Sequence, residues 1–191
     1  VQAFTCRLPL QFHDGNGLIC RAPEPAYPQS FQPAMPRILL IKTSSLGDIV
    51  HNLPVVSDLV AALPGVTVDW VVEEAFAAIP RLHPGVSRVL PVAQRRWRRS
   101  PWQAQVRREL RQFLRELRAG AYDFVIDTQG LFKSAWIARA ARGVRHGLDR
   151  ASSREPLGWF YDHVHHVPWG QHAVERNRQL AALALGRAVS G

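Results

Sequence analysis

Two short polar stretches hold the residue types on which chemistry could run. Thr43-Ser44-Ser45-Leu46-Gly47-Asp48 follows the apolar run Arg37–Lys42, and Asp127-Thr128-Gln129-Gly130 closes the apolar run Tyr122–Asp127. Each contains a glycine and leads into a helical pattern. Asp48, near the start of its helix, has two readings. It is an N-cap, because aspartate is a favoured capping residue, or a general base that accepts a hydroxyl proton and makes the oxygen a nucleophile. Lys42 ends the first run and Lys133 lies just beyond the second, and the chain has no other lysine. They could hold an anion together with the amides of the helix starts, or simply be exposed. The first loop has neither the glycine–lysine spacing of a P-loop nor the three glycines of a dinucleotide fingerprint.

The elements that must position these loops alternate. Strands are expected at Arg37–Lys42, Val66–Val72, Arg88–Val92 and Tyr122–Asp127, with a short extended piece near Val144. Helices are expected from Asp48 to about Leu63 (disturbed early by Pro54), over Ala75–Leu82, 102–118 and Leu131–Ala141, and at about 171–186. Residues 154–168 read as mixed. Strand–helix alternation implies an α/β fold, a Rossmann-like doubly wound parallel sheet. In such sheets ligands bind beyond the carboxyl ends of the strands where strand order reverses. The first and fourth strands flank that point in the common order, so the two polar loops should converge there.

Charge is concentrated. The 191 residues carry net +9, and residues 81–118 account for all of it with eleven arginines, no lysine and two acids, Glu109 and Glu116. In the 102–118 helix, Val106, Leu110, Phe113, Leu114 and Leu117 share one face and arginines cover the other. The Arg95-Arg96-Trp97-Arg98-Arg99 cluster is expected in a loop. It could stack and grip nucleic acid, hold an anionic lipid headgroup, or be a solvated charge run. Residues 1–34 hold five prolines and no clear period, and the sole methionine, Met35, directly precedes the first strand. Residues 1–34 are therefore expected to be a poorly ordered extension and 35–191 the domain. Cys6 and Cys20 suggest no disulfide framework. No apolar run approaches the roughly 18 residues of a membrane-spanning helix, and a soluble protein of a reducing compartment is expected. His163, His165 and His166 lack a partner at metal-ligand spacing, so no metal is expected.

The run from Lys42 through Asp48 to Pro54 resembles the opening motif of the lipopolysaccharide heptosyltransferase I family. The likeness continues in order through Asp69-Trp70-Val71-Val72-Glu73-Glu74, Arg95-Arg96-Trp97-Arg98, Asp127-Thr128-Gln129-Gly130-Leu131-Phe132-Lys133-Ser134, Ser153-Arg154-Glu155-Pro156 and His172-Ala173-Val174-Glu175-Arg176. It covers about residues 35–186. The resemblance implies the N-terminal, acceptor-binding domain of a GT-B glycosyltransferase, ending in the inter-domain helix. It implies metal-independent, inverting transfer of heptose from ADP-heptose to the Kdo of Kdo-lipid A in the lipopolysaccharide inner core, with no cofactor besides the donor.

By the same likeness Asp48 is the base. Lys42, Thr43, Ser44, Ser45, Gly47, Gln129, Gly130, Lys133 and His172 line the site. Arg95, Arg96, Arg98, Arg154 and Arg176 meet the anionic acceptor, together with Arg99, which stands where the family often has lysine. The implied location is the cytoplasm, with peripheral contact to the anionic inner membrane. The resemblance covers a family roughly twice as long, so its donor-binding C-terminal domain is expected to be missing from this chain and the chain alone is expected to be inactive. A related heptosyltransferase adding a later heptose is the alternative within enzymes. A nucleic-acid module built on 95–118 leaves Asp48 and the Thr128-Gln129-Gly130 turn unexplained, and no nucleic acid partner is expected.

Overall fold

Arg37–Ile41 (β1) places four consecutive apolar side chains at full burial. A strand with no polar face must be covered on both sides, which is the condition of a central parallel strand. Successive side chains point to opposite faces. Ile38 and Leu40 enter one core with Val55, Val56, Leu59, Leu180 and Ala184, while Leu39 and Ile41 enter a second with Phe113, Leu117, Ala135 and Ala138. The computed structural model describes residues 35–187. The extension expected at 1–34 lies outside the described residues.

The other strands are Thr67–Glu73 (β2), Val86–Val92 (β3), Phe124–Asp127 (β4), Val144–Leu148 (β5) and His163–His165 (β6). They form one sheet in the order β3-β2-β1-β4-β5-β6, and every pair is parallel. Strand order reverses between β1 and β4, as the alternating sequence pattern predicts. On one face lie Leu53–Ala62 (α2) and Ala173–Ala184 (α7), and on the other Ala104–Ala119 (α5) and Phe132–Ala140 (α6). The short Leu46–Val50 (α1) precedes α2, and Ala78–Arg81 (α3) follows β2. Pro54 sits in the first turn of α2, where its missing N–H leaves nothing unpaired. The disturbance expected there is thus a break between two helices.

One expectation is corrected. The Arg95–Arg99 cluster is not a loop but most of a helix, Gln94–Arg99 (α4). Glutamine and arginine are good helix formers, and Trp97 anchors the helix by tilting against Phe113 at 5.9 Å and donating its indole N–H to Glu109. The mixed segment also contains β6, only three residues long and so without a readable period. His146 of β5 stacks against His163 and His165 of β6, at 5.1 and 5.3 Å between ring centroids. Burial, with the neighbouring His165 and His163, pushes the His146 imidazole down to about 3. Among the described residues, no group of His, Cys, Asp or Glu is arranged to hold a metal.

Gly143 starts the approach to β5 with φ +147°, and a Cβ there would collide with the Tyr122 carbonyl oxygen. An alanine adds backbone strain to a contact that side-chain motion cannot relieve. Gly143→Ala is expected to lower the unfolding free energy by about 2–3 kcal/mol, read from urea denaturation with the slope unchanged.

Candidate active site

The loops after β1 and β4 meet side chain to backbone. The Gln129 amide oxygen accepts from the backbone N–H of Thr43 (3.0 Å) and of Ser44 (3.1 Å). Two backbone donors on one oxygen fix which end of the amide faces the loop, and the Nε2 donors are turned the other way. Lys42 reaches across from β1 to donate to the Thr128 carbonyl at 2.8 Å. Lys133, at the start of α6, donates to the Ser44 hydroxyl at 2.7 Å. The Ser44–Ser45 peptide is cis. Both lysines are therefore part of the loop contacts, which is why the chain's two lysines fall beside these strand ends.

Beneath the second loop lies a carboxylate that the motif contains but whose task sequence reasoning missed. Asp127 is fully buried; one oxygen accepts from the Gln129 and Gly130 amides, and the other from the Tyr161 hydroxyl at 2.8 Å. Burial raises its pKa against these donors. Its role is to hold the turn that presents Gln129. An aspartate ending an apolar strand run was the available signal, but Tyr161, 34 residues away, had none.

Asp48 is neither an N-cap nor unsupported. Ser45 is the N-cap of α1, and the Asp48 carboxylate reaches back to accept the Ser45 N–H at 2.7 Å and the Ser45 hydroxyl at 3.0 Å. Partial burial opposes its ionisation. The Ser45 amide, the Lys42 ammonium and the Ser45 hydroxyl outweigh that and hold its pKa below the usual carboxylate value. Lys42 is also lowered, for a different reason: burial disfavours its charge, while Asp48 and Asp127 restrain the fall. The result is an ionised carboxylate fixed in direction.

Asp48 and Lys42 line a cavity of about 270 Å³ beyond the strand ends. Gln129 and Gly130 form another part of its wall, and Arg154 and Arg176 bring positive charge. Arg176 is laid over the Trp169 ring at 4.1 Å and donates to the Ser152 carbonyl at 2.6 Å. Its Nε is buried without a hydrogen-bond partner among the described residues. Burial, then repulsion from Arg154, lowers its pKa. An anion in this cavity would relieve both penalties. Sequence reasoning missed Trp169, Ser152 and Asn177, which join the wall only because α7 and the segment before it fold back over β5.

The remaining predicted residues stand apart. His172 caps α7, its ring accepting from Val174 N–H, and faces His51 at 5.1 Å. Arg95 and Arg98 line a separate hollow together with Lys133. Arg96 is held between Glu74 at 3.0 Å and Glu109 at 2.7 Å, and Arg99 is exposed. The pair Glu73-Glu74 is a brace for α4: Glu73 accepts the Arg95 N–H and Glu74 pairs with Arg96. Among the described residues no helix is long and apolar enough to cross a membrane.

This geometry can be set beside known proteins. The family Glycosyltransferase family 9 (heptosyltransferase) matches residues 110–190. Lipopolysaccharide heptosyltransferase 1 of Pseudomonas aeruginosa is 56% identical over 151 residues, which is 78% of this chain and 42% of that protein. The Escherichia coli K12 protein of the same name is 51% identical over 152 residues, 78% of this chain and 48% of its own length. Among solved structures, E. coli heptosyltransferase WaaC with ADP-2-deoxy-2-fluoro heptose superposes with TM-score 0.77 at 50% identity, over 80% of this chain and 49% of that one. E. coli ADP-heptose LPS heptosyltransferase II matches at TM-score 0.59 and 22% identity, a likeness of fold alone. The chain spans about half the length of the curated relatives it matches.

Proposed function

We propose that this chain, a homologue of the glycosyltransferase family 9 heptosyltransferases, supplies the acceptor-binding half of a lipopolysaccharide heptosyltransferase I. The reaction is transfer of heptose from ADP-heptose to the Kdo of Kdo-lipid A. The observation that carries this reading is one cavity that holds an ionised, directionally fixed carboxylate beside a cluster of cations. Asp48 accepts the proton of the acceptor hydroxyl. That oxygen bonds to the anomeric carbon while the carbon–oxygen bond to the diphosphate breaks, which inverts the centre. No metal takes part in this scheme. Lys42 keeps Asp48 ionised until the proton arrives. Arg154 and Arg176 receive acceptor carboxylate or phosphate, and the Gln129 Nε2 donors orient a neighbouring oxygen.

Transfer needs both substrates held together, and the reading places the donor on the part of the relatives' length that this chain does not span. The protein then acts at the cytoplasmic face of the inner membrane, where its basic surface meets anionic lipid. Identity of 56% and 51% to heptosyltransferase 1 proteins, against 22% to heptosyltransferase II, favours the first transfer over a later one.

Calorimetry on the 191-residue chain tests the reading. Deacylated Kdo-lipid A should bind and ADP-heptose should not. Folded protein that binds neither would sink it. Arg176→Ala should weaken acceptor binding by about 10- to 100-fold, the value of one or two charge-assisted hydrogen bonds. An unchanged affinity would remove Arg176 from the site.

A further inference from the structure

An apolar groove beside α4 is not used by the scheme above. Two hollows of about 440 and 380 Å³ share Gln94, Trp97, Leu110 and Lys133, so they form one trough between α4, α5 and α6. Its walls are Trp97, Leu110, Phe113, Leu114, Trp136 and Ile137. Leu110 remains 40% exposed and Trp136 65%, although the periodicity of α5 puts Leu110 on the core-facing stripe. Arginines border both hollows: Arg95, Arg98 and Arg107 one, Arg118 and Arg139 the other. The acids nearby are committed, Glu73 to the Arg95 amide and Glu109 to Arg96 and Trp97.

One residue links the groove to the candidate active site. Lys133 lines both hollows, and its ammonium bonds Ser44 in the loop that carries Asp48. From Leu110 to Arg118 the trough follows about 12 Å of helix.

We infer that this groove is a subsite for one acyl chain of an anionic lipid, the chain of the acceptor whose sugar end lies at Asp48. The inference rests on the reading that the acceptor is an amphiphile. A concave apolar channel fits a single chain, whereas a bilayer surface would need a convex or flat patch. The arginine rim matches the phosphates that such a lipid carries at the root of its chains. Exposed leucine and tryptophan in a concave, positively rimmed patch mark a ligand groove rather than ordinary surface.

The test is a chain-length series of octyl, decyl and dodecyl phosphate, each below its micellar concentration, titrated into the full chain by calorimetry. Burial in the groove should raise affinity about two- to fourfold per added methylene. Leu110→Asp and, separately, Trp136→Ala should flatten that slope. Leu82→Asp, at an exposed site elsewhere, should leave it intact. A flat series in the wild type overturns the inference. So does a slope that survives both groove substitutions, which would point to a general membrane-facing surface. Reversible dimerisation that disappears in Leu110→Asp would also overturn it, by assigning the groove to a second copy. Deacylated Kdo-lipid A should bind Leu110→Asp as it binds the wild type. If that ligand fails with every form while the chain-length slope persists, the functional reading fails and the groove stands.

Discussion

On the proposed heptosyltransferase reading, Asp48→Asn in a protein that joins this chain to the proposed donor-binding half should lower kcat by about 10²- to 10⁴-fold, the usual contribution of a positioned general base, with acceptor affinity nearly unchanged. Asparagine keeps the shape and one oxygen for the Ser45 amide, so α1 retains its first turn. What it loses is a site for the proton, needed only in the transition state. The pH dependence follows from the environment of Asp48. Burial disfavours its charge, but the Ser45 amide and Lys42 reverse that and hold its pKa below the ordinary carboxylate value. The base form is therefore complete at neutral pH, and the acid limb of kcat/KM should lie below the usual carboxylate range. The same lowered pKa means that ionised Asp48 favours the folded state above its unfolded pKa, and that this contribution fades as pH falls through the folded value. A comparable loss of acceptor affinity in Asp48→Asn would assign it to binding instead.

Arg88→Met should destabilise the fold by about 3 kcal/mol, more than Asp69→Asn at about 1–2 kcal/mol. Asp69 of β2 is 1% exposed, and one of its oxygens accepts from Arg88 at 2.8 Å and from the Tyr122 hydroxyl at 2.9 Å. Arg37 stands off at 3.6 Å. The arginine side chains are 41% and 39% exposed, so either can turn to water when the carboxylate is removed. The carboxylate cannot. Removing Arg88 leaves a buried charge with one hydroxyl and a distant guanidinium, the more costly half of a broken pair. Burial, with the Asp69 charge next, pushes the Tyr122 phenol up to about 12, so it remains a donor across the working range. At this chain length the Arg88→Met loss corresponds to a fall in Tm of about 6–12 °C. A larger effect of Asp69→Asn would show that the guanidinium, not the carboxylate, is the dependent partner.

The sheet was legible because its strands are continuous apolar runs. Ile38-Leu39-Leu40-Ile41 has no alternative to a doubly covered strand, and the Rossmann-like order then placed both polar loops at the reversal point. The arginine-faced α5 was equally plain, since Val106, Phe113 and Leu117 return at helical spacing. What local pattern did not contain was partnership between distant residues. Asp48 could be assigned a neighbourhood but not its position three residues into α1, because the helix start depends on Ser45 capping it. The Arg95–Arg99 cluster looked like a loop because its anchors, Phe113 and Glu109, come from another helix. Tyr161 beneath Asp127, and Trp169 beneath Arg176, are supplied by the segment of weakest periodicity. Sequence reasoning thus found residues that carry motifs, and it missed those that hold them in place.

The reversal point between β1 and β4 also sets the order in which this chain can assemble. β1 pairs with β2 in a register that joins Ile38 to Val68, but its contacts with the β4 loop bridge 86 residues. Closing the longer span costs about 0.9 kcal/mol more in chain entropy than closing the shorter one. Until β4 arrives, Lys42 has no Thr128 carbonyl, the Thr43 and Ser44 amides have no Gln129, and the strand edge beside them is bare. The crevice is therefore among the most non-local parts of the fold, and non-local pairings form slowly. A nascent chain that has emerged only through α5 exposes the apolar edge of β1 to whatever other strand is near.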